Sequence, residues 1–179
     1  MADFSKYFPK LIASEGGYVN DPNDSGGETY EGISRANFPS WQGWEIIDTW
    51  KDHDNFPECL ANDVNLNGLV KAFYKDTFWN RWLADQIMNQ SLAELVVDWE
   101  VNSGTEGIKL VQVALHVTAD GLVGPATIAA INNSRQDILF QDIWAAHEKF
   151  YKYLVAKNPK DQEYLKGWEN RLAKQIFIA

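Results

Sequence analysis

The chain has 179 residues, a length for one domain or one domain with a small appendage. Hydrophobic residues make up 45% and charged residues 23%, an ordinary globular composition that excludes disordered, collagenous and fibrous classes. Acidic residues outnumber basic ones 25 to 16, a net charge of −9, which argues against nucleic acid or an anionic membrane as partner because both demand basic patches.

No apolar run approaches the ~20 residues of a membrane helix, so no membrane insertion is expected. Met1-Ala2-Asp3-Phe4-Ser5-Lys6 lacks the basic and apolar regions of a signal peptide. The expected localisation is therefore cytoplasmic at synthesis. One cysteine, Cys59, cannot form an internal disulfide, and six residues from His53 nothing marks it as an active thiol. His53, His116 and His147 are far apart and show no ligand spacing, so no metal and no other cofactor is expected.

In chain order the pattern is mostly helical. Phe4, Tyr7, Phe8, Leu11 and Ile12 make a 3.6-period stripe that Gly16-Gly17 ends. Residues 18–32 are rich in Asn, Asp, Gly and Pro, which is turn chemistry and predicts a small hairpin. Trp41, Trp44, Ile47 and Trp50 are at helical spacing. Leu66–Leu83 reads as one helix, and Leu92–Val101 as another with Ser91 as its N-cap. Thr105 opens a further helix through Leu115. Asp120-Gly121 makes a turn, and Pro125 sits at the first position of a short helix. Two long helices follow, over 137–157 and 161–177, with Pro159 between them. The fold class is α+β, predominantly α-helical. A seam near 88–91 divides the chain into regions 1–90 and 91–179, which could pack as one body.

Glu15 is the first candidate for chemistry. A carboxyl at the end of an otherwise apolar stripe suits a general acid, because desolvation disfavours the charged form. Asp24 and Thr29 follow on a loop bent by Gly26-Gly27. This set can flank a bound sugar: the acid protonates a glycosidic oxygen, Asp24 stabilises positive charge or activates water, and Thr29 positions that water. Gly26 and Gly27 let backbone pass close to substrate. Tyr18 and Tyr30 offer flat faces for stacking.

Glu15-Gly16-Gly17-Tyr18, with Asp21-Pro22, Asp24, Gly26-Gly27, Thr29 and Gly32-Ile33, resembles the signature of glycoside hydrolase family 108. These are lysozyme-like N-acetylmuramidases of phages and bacterial genomes, some described as secretion activators. The resemblance implies a lysozyme-like fold with a small loop or hairpin after the first helix, and it implies Glu15 as catalytic acid. In the wider phage lysozymes eight residues separate the Glu from an Asp or Cys, and five more precede a Thr. Here eight residues separate Glu15 from Asp24, but only four lie between Asp24 and Thr29.

The resemblance continues through residues 94–104, where it makes Asn102 and Gly104 secondary candidates near a cleft; a plain helix terminus explains both equally well. Residues 110–131 resemble the DGxxGpxT pattern of peptidoglycan-binding modules, and Gly167-Trp168-Glu169-Asn170-Arg171 resembles a motif of the accompanying peptidoglycan domain. Peptidoglycan is the implied partner, met at the wall after release or export by another route, and a monomer is favoured. The implied reaction is cleavage of the glycan strand on the reducing side of N-acetylmuramic acid, as in an endolysin.

Three other readings compete. A non-catalytic wall-binding or secretion-associated module would retain the fold without hydrolysis. Two stretches starting at Asp21 and Asp63 imitate calcium loops, yet Gly32 and Tyr74 stand where the closing carboxylate belongs. Most of the eight tryptophans lie on helical stripes, which favours core packing over sugar stacking.

Overall fold

The computed structural model describes residues 1–20 and 27–179. The elements are α1 (Phe4–Ile12), β1 (Tyr18–Asn20), β2 (Glu28–Tyr30), β3 (Ile33–Ser34), α2 (Gly43–Trp50), α3 (Val64–Tyr74), α4 (Gln90–Ser103), α5 (Thr105–Ala114), α6 (Pro125–Asn133), α7 (Gln136–Lys157) and α8 (Gln162–Leu172). The class is α+β and predominantly helical, as the sequence predicts. Two compact units emerge, Ser5–Asp76, and Thr77–Ala179 together with Met1–Phe4.

In the first unit the strands form an antiparallel sheet in the order β1-β2-β3. Thr29 is central, opposite Val19 on one side and Ser34 on the other. The sheet shares a core with the helices through Tyr7, Leu11, Tyr30, Ile33, Trp44, Ile47, Leu66 and Val70, all buried. Asp63 starts α3 as its N-cap: its carboxylate accepts from Leu66 N at 2.9 Å and from Trp50 Nε1 at 2.9 Å. Those bonds hold its carboxyl below the usual range. The calcium-like stretch at Asp63 is thus a helix cap. The helix expected over 66–83 ends at Tyr74, where the chain widens into a π-type turn over Lys75–Trp79.

The second unit is built around α4. Residues 91–100 are all buried, so this helix has no solvated face and forms the centre of its unit. Its N-cap is Asn89, whose side chain accepts from Leu92 N at 3.0 Å, rather than Ser91. The Ser91 hydroxyl accepts instead from Ile178 N at 3.0 Å, and Asn89 Nδ2 donates to Ile178 O at 2.9 Å. These bonds tie the C-terminal tail to the start of α4, and α8 stops at Leu172 rather than running to 177.

Three acids are buried in α4, and each meets a partner. Gln90 Nε2 donates to Glu94 at 2.8 Å. Arg171 grips Asp98 through two nitrogens, at 2.9 and 3.1 Å. Arg81 Nη1 lies 2.9 Å from Glu100 Oε1, yet neither Glu100 oxygen receives a well-aligned hydrogen bond among the described residues. Burial therefore dominates and pushes the Glu100 carboxyl up to about 7.

Pro125 is the first residue of α6, and Gly121 holds the preceding turn at φ 76°, both as the sequence predicts. Gln112, 1% exposed, organises that turn by donating to Asp120 Oδ1 at 2.9 Å and Leu122 O at 3.0 Å while accepting from Gly121 N at 2.8 Å.

Candidate functional site

Glu15 lies just beyond α1 rather than within it. Ser14 Oγ donates back to Lys10 O, and the N–H groups of Ser14 and Glu15 bond three residues back, to Leu11 O and Ile12 O. This tighter turn follows the last α-helical residue and leaves Glu15 half-buried.

The Glu15 carboxyl faces the turn that joins β2 to β3. Tyr30 and Ile33 pair across that hairpin, and Glu31 and Gly32 form its two-residue loop with φ of 47° and 77°. Two positive φ values in a two-residue loop match the twist of the strands, and Gly32 meets this demand without strain. Gly32 serves a second purpose. A Cβ added there would stand 2.5 Å from Glu15 Oε2 and 2.5 Å from the Tyr74 hydroxyl. Glycine is thus required both for the turn and for the close approach of the acid.

Glu31 is the non-glycine in the strained half of that loop. Its carbonyl accepts from the Tyr74 hydroxyl at 2.6 Å, which ties the turn to α3. Its carboxyl is half-buried, and Oε2 receives no hydrogen bond among the described residues. Burial, and secondarily the Glu15 charge, push Glu31 above the usual carboxylate range. The site therefore contains a pair of interacting carboxyls, Glu15 and Glu31. Sequence reasoning missed Glu31 and Tyr74. The hint available was the length of the loop between two hydrophobic strand residues, Tyr30 and Ile33.

Glu28, on the other end of β2, is saturated with donors. It meets Arg35 Nε at 3.0 Å, Lys51 Nζ at 2.8 Å and the Tyr18 hydroxyl at 2.9 Å. Arg35 and Lys51 both reach Asp48 as well, at 2.8 and 2.7 Å, and these bonds hold Asp48 below the usual range. Arg35 also lies over the Trp44 ring, 4.6 Å from its centroid. This network anchors the sheet to α2.

The remaining sequence candidates fall into distinct settings. Tyr18 is half-buried, its ring edge-on to Phe56 at 4.7 Å and its hydroxyl committed to Glu28. Burial, then Glu28, raise that hydroxyl and keep it a donor. Thr29 is half-buried on the sheet face opposite Tyr30, with Oγ1 donating to Gly27 O at 3.3 Å. Gly27 adopts φ 60°, and a Cβ added there would meet nothing within 4 Å among the described residues. Asp24 and Gly26 lie outside the described residues, as does the calcium-like stretch from Asp21.

Tyr30 differs from expectation. It is 2% exposed, burial lifts its hydroxyl to about 12, and its ring is enclosed rather than open for stacking. Strand alternation explains this, since Tyr30 and Thr29 must face opposite sides of the sheet. Asn102, in the second unit, is exposed on the last turn of α4 and donates to Asp98 O at 2.7 Å. Gly104 ends that helix at φ 59°, the helix-terminus reading of this segment. Among the described residues no group of three or more His, Cys, Asp and Glu is arranged to hold a metal ion. Nor is any helix long and apolar enough to cross a membrane.

The model of the Glycosyl hydrolase 108 family matches residues 8–104, and that of the Predicted Peptidoglycan domain matches residues 106–173. No curated protein matches the chain significantly. Among solved structures, that of Brucella abortus SagA is similar, with 23% sequence identity over 96% of this chain and 90% of that one, and a TM-score of 0.71. That likeness concerns the fold. The first family model covers the whole neighbourhood of Glu15, the hairpin and α4, and matches more than half of the sequence. The chain belongs to the Glycosyl hydrolase 108 family.

Proposed function

We propose that the protein hydrolyses the glycan strand of peptidoglycan as a lysozyme-type muramidase, with Glu15 as general acid. The observation that carries this reading is the Glu15 carboxyl seated against the glycine of the β2–β3 turn, where only Gly32 leaves it room. The family model at 8–104 and the peptidoglycan domain at 106–173 support the substrate class.

In this mechanism Glu15 protonates the leaving oxygen on the reducing side of N-acetylmuramic acid. Asp24 stabilises the oxocarbenium-like charge or activates water, and Thr29 orients that water. Glu31 adds a second carboxyl beside the acid. Burial, and secondarily the Glu15 charge, raise Glu31 above the usual carboxylate range, so Glu31 resists ionising beside the acid. Tyr18 is the stacking face that best suits a sugar ring, being half-open and rigidly held. Gly26 and Gly27 let the loop approach the strand. The work is done at the cell wall, reached by release or by export.

Incubating the protein with purified peptidoglycan tests the reading. Soluble fragments with new reducing ends are expected. Retention on the wall with no new reducing ends would favour the non-catalytic wall-binding or secretion-associated module.

A further inference from the structure

Tyr74, the last residue of α3, is held at both ends. Its ring is buried and stands edge-on to Phe73, with centroids 5.3 Å apart. Phe73 is itself edge-on to Phe38 at 4.7 Å, so an aromatic cluster of the first unit fixes the ring. The 2.6 Å bond from the hydroxyl to Glu31 O fixes the tip. That tip also lies close to the candidate acid. Glu15 Oε2 and Tyr74 Oη are each 2.5 Å from the point that a Cβ of Gly32 would occupy, and Glu15 Cδ is 2.9 Å from it. The two oxygens therefore lie within twice the first distance of each other, on the same side of the Gly32 backbone. A direct hydrogen bond, or one shared water, spans such a gap.

A phenol carries one proton to donate and accepts through its lone pairs. While Glu15 keeps its proton, the Tyr74 proton lies on Glu31 O. Once Glu15 gives its proton to a leaving oxygen, Oε2 shares a full negative charge and becomes a stronger acceptor than a peptide carbonyl. Rotation about the phenol C–O bond then turns the Tyr74 proton from Glu31 O to Glu15 Oε2, and no heavy atom has to move. One neutral hydrogen bond is exchanged for a charge-assisted one. Such a bond strengthens as charge develops on the acid, so it favours the transition state over the bound substrate. The Glu31 side chain is no substitute, because an ionised carboxyl repels the charge that Tyr74 would meet.

We infer that Tyr74 is the positioning residue of the candidate acid: its hydroxyl orients the Glu15 carboxyl through Oε2 and turns its proton to that oxygen as the carboxylate forms. The inference rests on the reading of Glu15 as general acid. It gives the hydroxyl a role in the chemical step, beyond tying the β2–β3 turn to α3.

Steady-state hydrolysis of soluble, uncross-linked peptidoglycan strands by the full chain tests this, read as new reducing ends. Tyr74→Phe keeps the ring and removes the hydroxyl. It is expected to lower kcat about tenfold or more while KM stays within about twofold. Asp63→Ala, which loosens the opposite end of α3 and leaves the hydroxyl in place, is the comparison for stability. Its urea midpoint is expected to fall at least as far, with kcat within about twofold of the wild type. In a Glu15→Gln background, Tyr74→Phe is expected to change the residual rate less than about twofold, because the two side chains act as one unit. An unchanged kcat in Tyr74→Phe, or a fall matched by Asp63→Ala, would overturn the role of Tyr74 and leave the hydrolase reading standing. So would a further loss of about tenfold in the Glu15→Gln background. No reducing ends from the wild type would defeat the hydrolase reading and the role of Tyr74 with it.

Discussion

Gly32→Ala is the most informative single change at the candidate site. At φ 77° an alanine carries the left-handed penalty, about 1–2 kcal/mol. Its Cβ would also sit 2.5 Å from both Glu15 Oε2 and the Tyr74 hydroxyl, so one or both must move. Displacing Tyr74 breaks its 2.6 Å bond to Glu31 O, worth about another 1 kcal/mol. The expected loss is about 2–3 kcal/mol. Gly27→Ala in the same unit is the stability comparison, because Gly27 shares the positive φ but an added Cβ has nothing within 4 Å among the described residues, so the penalty of about 1–2 kcal/mol applies. Urea midpoints measure both losses, and release of reducing ends measures activity. Gly32→Ala is expected to be the less stable and to cut activity at least about tenfold, since a 1 Å misplacement of the acid is costly. Equal stability losses in the two variants, with activity of Gly32→Ala intact, would refute the reasoning.

Two further predictions concern pH in the second unit. Glu100 has a folded pKa raised from 4.5 to about 7, so its contribution to stability is full below 4.5 and is lost as pH rises through 7. The loss amounts to about 3 kcal/mol, and Glu100→Gln is expected to remove it from a stability–pH curve; an unchanged slope would contradict the assignment. His147 is 1% exposed, stacked on Trp99 at 4.3 Å, and neither ring nitrogen has a partner among the described residues. Burial, then Arg171, lower it to about 3, so the unfolded chain takes up the proton first and stability falls as pH drops below 6.5. Between pH 7 and pH 5 the loss is about 2 kcal/mol, and His147→Phe, which keeps the stacking, is expected to abolish it. A His147→Phe curve as acid-sensitive as the wild type's would count against a buried neutral histidine. The two effects oppose each other where they overlap, so each is read from its own variant.

Periodicity predicted helices that the structure contains: the stripe from Phe4, the helix opened by Thr105, and the long helix ended near Pro159. It failed where tertiary bonds outbid local propensity. Asn89 rather than Ser91 caps α4, because Ser91 Oγ is taken by the tail, and α8 stops at Leu172 although the helical pattern runs on. Glu15 was legible because it ends an apolar stripe before two glycines. Glu31 was not, since only the folding of the hairpin back onto the end of α1 brings its carboxyl near Glu15, and no spacing in the sequence encodes that approach. Tyr30 was misread for a related reason: the hairpin expected over 18–32 left open which residues its strands bury, and a strand must turn neighbouring side chains to opposite faces. Of the eight tryptophans, four are buried in the core, Trp44, Trp79, Trp82 and Trp99, and the other four are half-buried. Trp144 is half-buried and lines two pockets.

The central claim is that the Glu15 carboxyl delivers the proton that breaks the glycosidic bond. It is tested most directly by comparing wild type and Glu15→Gln at matched concentration for release of reducing ends from purified peptidoglycan. The substitution preserves shape and removes the proton, so a fall of about 10²–10⁴-fold is predicted, with the urea midpoint close to that of the wild type. Equal rates from the two proteins would contradict the claim.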